Sequence, residues 1–465
     1  MLKNKAPFSE LELAVIFGEN NLHNINEGFN ASGVVIDTRI LEPGNIFAAL
    51  KGENIDGHDL IEQAFNSGAS ACIIEKDYLE EITGKFPNKS FIVTNDNIEA
   101  LGRLANHHRR RFEYPVICVG GANGKTTTKE MIAAVLSEEF KVLKTYGNYN
   151  NKIGVPLMLL QMLDEYDIAI LEIGTNTPGE IYDLSNIVEP THALITNIGK
   201  EHLEFLIDLD GVELEETYLF AKVRSDGFAF VNYDDVRLKL YGHVLGRFMT
   251  YGTNEHAQFR CEYTLNDELN PVVTVMKIEG NYTVNMQTVG YASALNAIAA
   301  IAVGDYFGVG GDKIIKSLEN FEPLEGSSGY GRMALSEING IRIINDTYNA
   351  NPDSMSAALK NLEMIKIKGR KYAVLGDMRE LGIAAPQEHY NIIEIGLSVS
   401  DKVLVTGDEM IAASKRFNSD KLMTFSSNEI IAEYLKNNLL PGDCVLVKGS
   451  RGMKMEEVII NLKQI

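Results

Sequence analysis

The apolar positions of the chain fall into short runs whose character changes twice. Up to about residue 112, "SGVVIDTRI", "GNIFAAL", "SACIIE" and "SFIVTN" are brief apolar or alternating segments bounded by Gly, Pro and Asp, which predicts strands. Among them, "HDLIEQAFNSGA" sets Leu60, Ile61, Ala64 and Phe65 on one side of a helix. From 113 the runs lose their alternation. "PVICVGG", "YDIAILEIG" and "THALITNIG" are continuously apolar, as parallel strands covered on both faces require. "KTTTKEMIAAVLSEEF", with Met131, Ile132, Val135 and Leu136 at helical spacing, and "SALNAIAAIAVGDYF" are predicted helices. From 326, "GIRIIND", "RKYAVLGD", "DKVLVTGD" and "DCVLVKGS" are again buried strands alternating with helices. Ligands of open α/β sheets sit at the carboxyl ends of strands, where Asp346, Gly376, Asp377, Gly407 and Lys448 fall. The expectation is three α/β domains, 1–112, 113–325 and 326–465, the second and third on mainly parallel sheets.

A chain of 465 residues is too long for a single core, which agrees with that division. The first twenty residues hold no apolar run flanked by basic residues, so no signal peptide is expected, and no run is long enough to span a bilayer. Cys72, Cys118, Cys261 and Cys444 show no CxxC spacing and lie mostly in apolar runs, as buried free thiols in a cytoplasmic protein would. A formal charge of −21 argues against nucleic acid or an anionic membrane as partner. An anionic substrate would need a site where Lys, Arg and backbone N–H groups are concentrated.

The stretch "VICVGGANGKTTTK" supplies such a site. A buried strand runs into a glycine-rich turn whose N–H groups can cradle phosphate oxygens, and a helix begins at Lys125 with its positive dipole end toward them. Gly121, Asn123, Gly124 and Thr127 belong to this loop. Lys125 offers a point charge for the β- and γ-phosphates and Thr126 a hydroxyl for Mg²⁺. Val119 stands where the phosphate-loop pattern has its first glycine. Downstream, Glu172 ends an apolar strand, where a carboxylate is costly unless paired or bound to a cation, so it is a candidate Mg²⁺ ligand. His202 follows the next strand and is a third candidate at the same sheet edge.

Taken together the motifs resemble the Mur ligases, the ATP-dependent amide-forming ligases of peptidoglycan synthesis. The resemblance is carried by "GANGKTTTKEM", "TYGNYNNKIGVPLMLL", "LEIGTNTPGEI", "TNIGKEHLE", "INDTYNANPDSMSAAL", "VLGDMRELG" and "LVKGSRGMKMEEVI", in the family's order. "DTRILEPGNIFAALKGENIDGHD" resembles the UDP-binding region of the branch that adds D-alanyl-D-alanine. The resemblance implies an N-terminal UDP-substrate module, a central P-loop ATPase domain and a C-terminal Rossmann-like domain that closes over both. It implies ATP and Mg²⁺, a UDP-N-acetylmuramoyl-tripeptide activated as an acyl phosphate, and attack by the amine of D-Ala-D-Ala. It implies a cytoplasmic monomer acting on small molecules. By match, Lys125, Glu172 and His202 would be catalytic, and Thr126, Glu172 and His202 would hold metal. Asn296 would contact adenine. Arg332, Asp346 and Asn349 would hold ribose and phosphates. Asn148, Asn150 and Asn151 would face the tripeptide. Thr38, Arg39, Lys51 and His58 would lie near UDP, and Lys448, Ser450, Arg451 and Glu456 near the dipeptide.

Three positions depart from the family pattern. Where most members carry a lysine modified to a metal-binding carbamate, "DLDGVELEETYLF" places Glu216. Its carboxylate is expected to do the carbamate's catalytic and metal-holding work with a shorter reach; the alternative is a solvated acidic face formed with Glu213 and Glu215. Ala292 and Ser293 replace the usual His-Asn before Asn296, and the glycine often found after Phe205 is missing. A Mur-type ligase for another acid or amine, and a nucleotide-binding paralogue without the chemistry, both remain open at this point.

Overall fold

Why the apolar runs divide as they do is visible in the sheets they build. The computed structural model describes residues 3–243, 245–278, 280–322 and 329–463. In the first unit the strands run Leu22–His23, Phe91–Thr94, Ala71–Glu75, Asn45–Ala48 and Gly33–Val35 across one sheet, parallel except for the first pair. The predicted helix of this unit is a 3-10 turn, Gly57–Leu60, leading into Ile61–Asn66. Helix Asn97–Arg109 then carries the chain toward the middle unit. Arg109 is only 2 % exposed, and its guanidinium donates to the carbonyls of Val188, Glu189 and Phe112, so a buried charge ties this helix to the end of helix Glu180–Val188.

The middle sheet is ordered Tyr282–Asn285, Pro271–Val275, Phe259–Leu265, Phe248–Gly252, Phe228–Asn232, His192–Ile195, Val116–Gly120, Ile168–Glu172 and Val142–Lys144. Pairing is parallel from Val142–Lys144 as far as Phe259–Leu265. Every residue of Val116–Gly120 and Ile168–Glu172 is buried, which is why both read as continuous apolar runs. The last two strands pair antiparallel, and Pro271–Val275 alternates buried and half-buried positions. That period-2 extension has one wet face and is not the buried type that marks the rest of the sheet. Helices Lys125–Leu136 and Tyr291–Tyr306 pack together on one face, and the alanines at 294, 297, 299, 300 and 302 allow close approach.

The third sheet is ordered Ala334–Ile338, Ile341–Asp346, Cys444–Lys448, Lys371–Gly376, Lys402–Thr406 and Leu422–Phe425, parallel except for the first pair. The α/β organisation on three main sheets, with a two-stranded Phe8–Ser9/Asn30–Ala31 ribbon in the first unit, is therefore as expected. The boundary expected between 325 and 326 lies outside the described residues. All four cysteines are buried and free.

Candidate active site

Two glycines fix the phosphate loop. Gly121 (φ +107°) and Gly124 (φ +83°) sit in the left-handed region. A Cβ on the first would lie 2.4 Å from Thr196 Oγ1, and on the second 2.4 Å from Asn296 Oδ1. The loop is thus pressed against the next strand's end and against helix Tyr291–Tyr306. Helix Lys125–Leu136 starts with no side-chain cap, leaving first-turn N–H groups for a ligand.

Register places the other candidates beside this loop. Glu172 pairs with Val119 on one neighbouring strand, and Ile195 pairs with Gly120 on the other. Glu172 is 2 % exposed. Its N–H donates to Thr145 Oγ1 at 2.9 Å, and its Oε1 accepts from Asn150 Nδ2 at 2.8 Å. Its Oε2 has no hydrogen-bond donor, and the ammonium of the wholly buried Lys129 stands 4.0 Å away. Lys125 Nζ folds back onto the carbonyl of Gly121 and lies 3.2 Å from Glu201 Oε2. Burial pulls the Lys125 ammonium down, but the charges of Glu201, Glu216 and Glu172 outweigh it and raise its pKa above the lysine norm.

Glu216 occupies an unexpected place. Glu215 and Glu216 are 2 % and 0 % exposed, so the solvated acidic face is ruled out. Glu215 accepts the N–H groups of Gly179 and Ile181. Glu216 lies behind the phosphate loop, its Oε2 accepting the Gly121 N–H at 2.7 Å and its Oε1 without a donor. Burial pushes its pKa up to about 8 against the pull of Lys125, with Glu201 adding to the rise. Glu172 Oε2, Glu201 Oε1 and Glu216 Oε1 are all buried without donors, and one ammonium faces all three carboxyls. Such an excess of acceptor oxygens suits a hard cation that takes few protein ligands and fills the rest with water and phosphate. Among the described residues no three His, Cys, Asp or Glu side chains converge as a ready-made cage, so Glu172, His202 and Glu216 do not surround one point.

A cavity of about 830 Å³ opens between the middle and third sheets. It brings together Asn123, Gly124, Lys125, Thr126 and Thr127 of the loop, with Asn148, Asn150, Asn151, Glu172, His202 and Asn296. The third sheet adds Arg332, Asp346, Asn349, Lys448, Ser450 and Arg451. Asp346 and Lys448 are register partners on adjacent strands, and Lys448 Nζ donates to Asp346 Oδ2 at 2.6 Å and to the carbonyl of Asn349 at 2.9 Å. The Arg332 guanidinium lies 3.6 Å from the centre of the Tyr348 ring. Arg451 pairs with Glu456 at 2.7 Å while still lining the cavity. Asn151 accepts the N–H groups of Ile153 and Gly154, a local turn bond. Ser293 Oγ bonds Thr288 Oγ1.

Gly121 and Glu216 lie outside the cavity lining, and so do Thr38, Arg39, Lys51 and His58 of the first unit. Arg39 grips Asp37 through two nitrogens, and His58 is stacked on Tyr78 with Nδ1 on Asp56 and Nε2 accepting from the Glu75 N–H. The cavity also contains Glu201, Arg379 and Glu380, which no sequence pattern singled out; the only signals were the position of Glu201 beside His202 and that of the other two inside "GDMRELG".

Comparison with known proteins accords with this geometry. Residues 30–109 match the family model described as Mur ligase family, catalytic domain; 119–304 match the Mur ligase middle domain; 331–451 match the Mur ligase, glutamate ligase domain. A UDP-N-acetylmuramoyl-tripeptide–D-alanyl-D-alanine ligase of Bacillus subtilis is 35 % identical over 92 % of this chain and 93 % of its own, and that of Escherichia coli is 31 % identical over 93 % of each. A crystal structure of MurF from Acinetobacter baumannii superposes with a TM-score of 0.87 at 28 % identity, covering 99 % of both chains. MurF from Thermotoga maritima in complex with ADP superposes with a TM-score of 0.81 at 27 % identity, covering 93 % of this chain and 97 % of its own. Loop, sheet edges, cavity and full-length similarity lead to one conclusion: the chain belongs to the Mur ligase family.

Proposed function

We propose that this chain is an ATP-dependent, ADP-forming ligase that joins D-alanyl-D-alanine to the terminal carboxylate of UDP-N-acetylmuramoyl-tripeptide. The observation that carries the proposal is the position of Lys125, facing a cavity shared with Glu172 and His202 on one side and with Lys448 and Arg451 on the other. The residues 1–112, 113–325 and 326–465 would serve UDP-substrate, ATP and dipeptide in turn. No helix among the described residues is long and apolar enough to cross a membrane. The substrates named are small molecules, and the enzyme would meet them in the cytoplasm as a monomer.

A carboxylate is a poor electrophile, and transfer of the γ-phosphoryl group of ATP gives it a leaving group. Two anions must approach for that step. Lys125 and the N–H groups of the phosphate loop offset their repulsion, and the fixed loop does so without reorganising. Thr126, Glu172 and His202 would hold Mg²⁺, which supplies further neutralisation of phosphate charge when bound. Asn150 keeps the Glu172 carboxylate turned toward the cavity. Asn148 and Asn151 would meet the tripeptide and Asn296 the adenine. Arg332, Asp346 and Asn349 would meet ribose and phosphates, with Lys448, Ser450 and Arg451 toward the dipeptide. The amine then attacks the acyl carbon and phosphate leaves. The third sheet roofs the cavity, which shields the acyl phosphate from water. In the first unit Thr38, Arg39 and Lys51 would lie toward UDP; His58, its nitrogens engaged, would shape that pocket from behind.

Phosphate release with ATP, Mg²⁺, UDP-muramoyl tripeptide and D-Ala-D-Ala tests the proposal. Release that needs both acid and amine is expected. Release with neither present means a simple ATPase, and no release under any combination means a binding protein. For Glu216 we expect Glu216→Gln to lower turnover about a hundredfold, because the amide keeps an oxygen for the Gly121 N–H but cannot take up the negative charge that Lys125 draws out of this carboxyl. Near-normal turnover of that variant would refute a catalytic or metal-holding role for Glu216.

A further inference from the structure

His202 is bracketed by two carboxylates from different units. Its Nε2 lies 3.8 Å from Glu201 Oε2, and Glu201 in turn lies 3.2 Å from Lys125 Nζ. Its Nδ1 lies 2.6 Å from Oε2 of Glu380, in the loop after strand Lys371–Gly376 of the third sheet. That contact is close, but its geometry falls short of a directed hydrogen bond. The two turns are mated by backbone as well. The Glu204 N–H donates to the Glu380 carbonyl at 3.0 Å, and a Cβ on Gly382 would lie 2.9 Å from Glu204 Cα. Leu381 packs into the same apolar cluster as Leu203 and Leu206. Both His202 (φ +50°) and Glu380 (φ +63°) hold left-handed backbone, which side-chain-bearing residues rarely adopt and which persists only where surroundings enforce it.

From this juxtaposition we propose that Glu380 is a positioning residue. Closure of the third unit delivers its carboxylate to His202 Nδ1, orients the ring so that Nε2 faces the phosphate side of the cavity, and so makes the metal-phosphate site complete only when the unit is closed. A carboxylate on one imidazole nitrogen fixes ring orientation and leaves the other nitrogen for a ligand. The chain Glu380, His202, Glu201, Lys125 is the physical link between closure and the phosphate loop. The inference rests on the reading of His202 as a group at the phosphate site.

The interface provides its own control. Lys200 Nζ donates to Glu388 Oε1 at 2.7 Å across the same junction without touching His202. Binding of Mn²⁺ to the full chain is measured by electron paramagnetic resonance with β,γ-imido-ATP present, alongside kcat and KM for ATP. Glu380 is 48 % exposed at its side chain, so its variants are expected to fold. Glu380→Gln should weaken Mn²⁺ about tenfold and lower kcat similarly with little change in KM, and Glu380→Asp should recover part of both. Glu388→Gln, which weakens a half-buried pair at the same junction and leaves Glu380 on His202, should change Mn²⁺ affinity by no more than about twofold. In a His202→Asn background, Glu380→Gln should add nothing further. Equal losses in the Glu380 and Glu388 variants, or additive losses with His202→Asn, would overturn the proposal and leave the ligase reading intact. Wild-type protein that bound no Mn²⁺ with the nucleotide would overturn both.

Discussion

Lys125→Met is expected to reduce acid- and amine-dependent phosphate release by about a thousandfold, at the upper end for loss of one transition-state donor. Methionine keeps the length and removes the charge. In the present arrangement Lys125 is the ammonium that balances Glu201, Glu216 and Glu172, and it lies against the carbonyls of its own loop. Incoming phosphate offers it a better partner, so the side chain is poised to leave Gly121 for the γ-phosphoryl group. Lys125→Arg should not rescue the rate, because a planar guanidinium cannot occupy the space of a compact ammonium inside a tight turn. Loss of nucleotide binding in Lys125→Met, measured by calorimetry, should be smaller than the loss of rate, since the loop N–H groups remain. Equal losses in binding and rate would mean that Lys125 holds the ground state only.

The second large effect is expected at Glu172. Glu172→Gln should lower kcat by about a hundredfold and raise the Mg²⁺ concentration needed for half-maximal rate. The amide can still accept the Asn150 hydrogen bond, and Lys129 keeps its 2.7 Å pair with Glu130 and its bond to the Thr145 carbonyl, so the melting temperature should stay close to wild type. What changes is the orphan oxygen near Lys129, which becomes a donor where a cation needs an acceptor. Turnover titrated against Mg²⁺ and a thermal melt separate the two consequences. A variant that melts early and binds Mg²⁺ normally would assign Glu172 to stability.

Much of the fold was legible because burial on both faces writes itself into sequence. Val116–Gly120, Ile168–Glu172 and His192–Ile195 are buried at every position and end where chemistry begins. Glu172 was legible for the complementary reason, a carboxylate where an apolar residue belongs. The antiparallel extension through Pro271–Val275 and Tyr282–Asn285 was not, since its residues alternate weakly and carry no function. The acidic run 213–216 left a wet face open as the alternative, because periodicity records spacing and not what packs around a helix. In the fold, Glu213 reaches Arg237, Glu215 takes backbone N–H groups at the start of helix Glu180–Val188, and Glu216 goes under the phosphate loop. Glu201 and Glu380 escaped notice because their importance lies in pairs that only the fold creates, Glu201 with Lys125 at the edge of the middle sheet and Glu380 with His202 where two sheets meet.

The account stands or falls on the activated acid, and one isotope measurement addresses it. UDP-muramoyl tripeptide carrying oxygen-18 in both positions of its terminal carboxylate is turned over with ATP, Mg²⁺ and D-Ala-D-Ala, and the released phosphate is examined by mass spectrometry. If the carboxylate takes the γ-phosphoryl group and the amine expels it, each phosphate carries one labelled oxygen and the new amide keeps the other. Unlabelled phosphate formed together with the amide would contradict it.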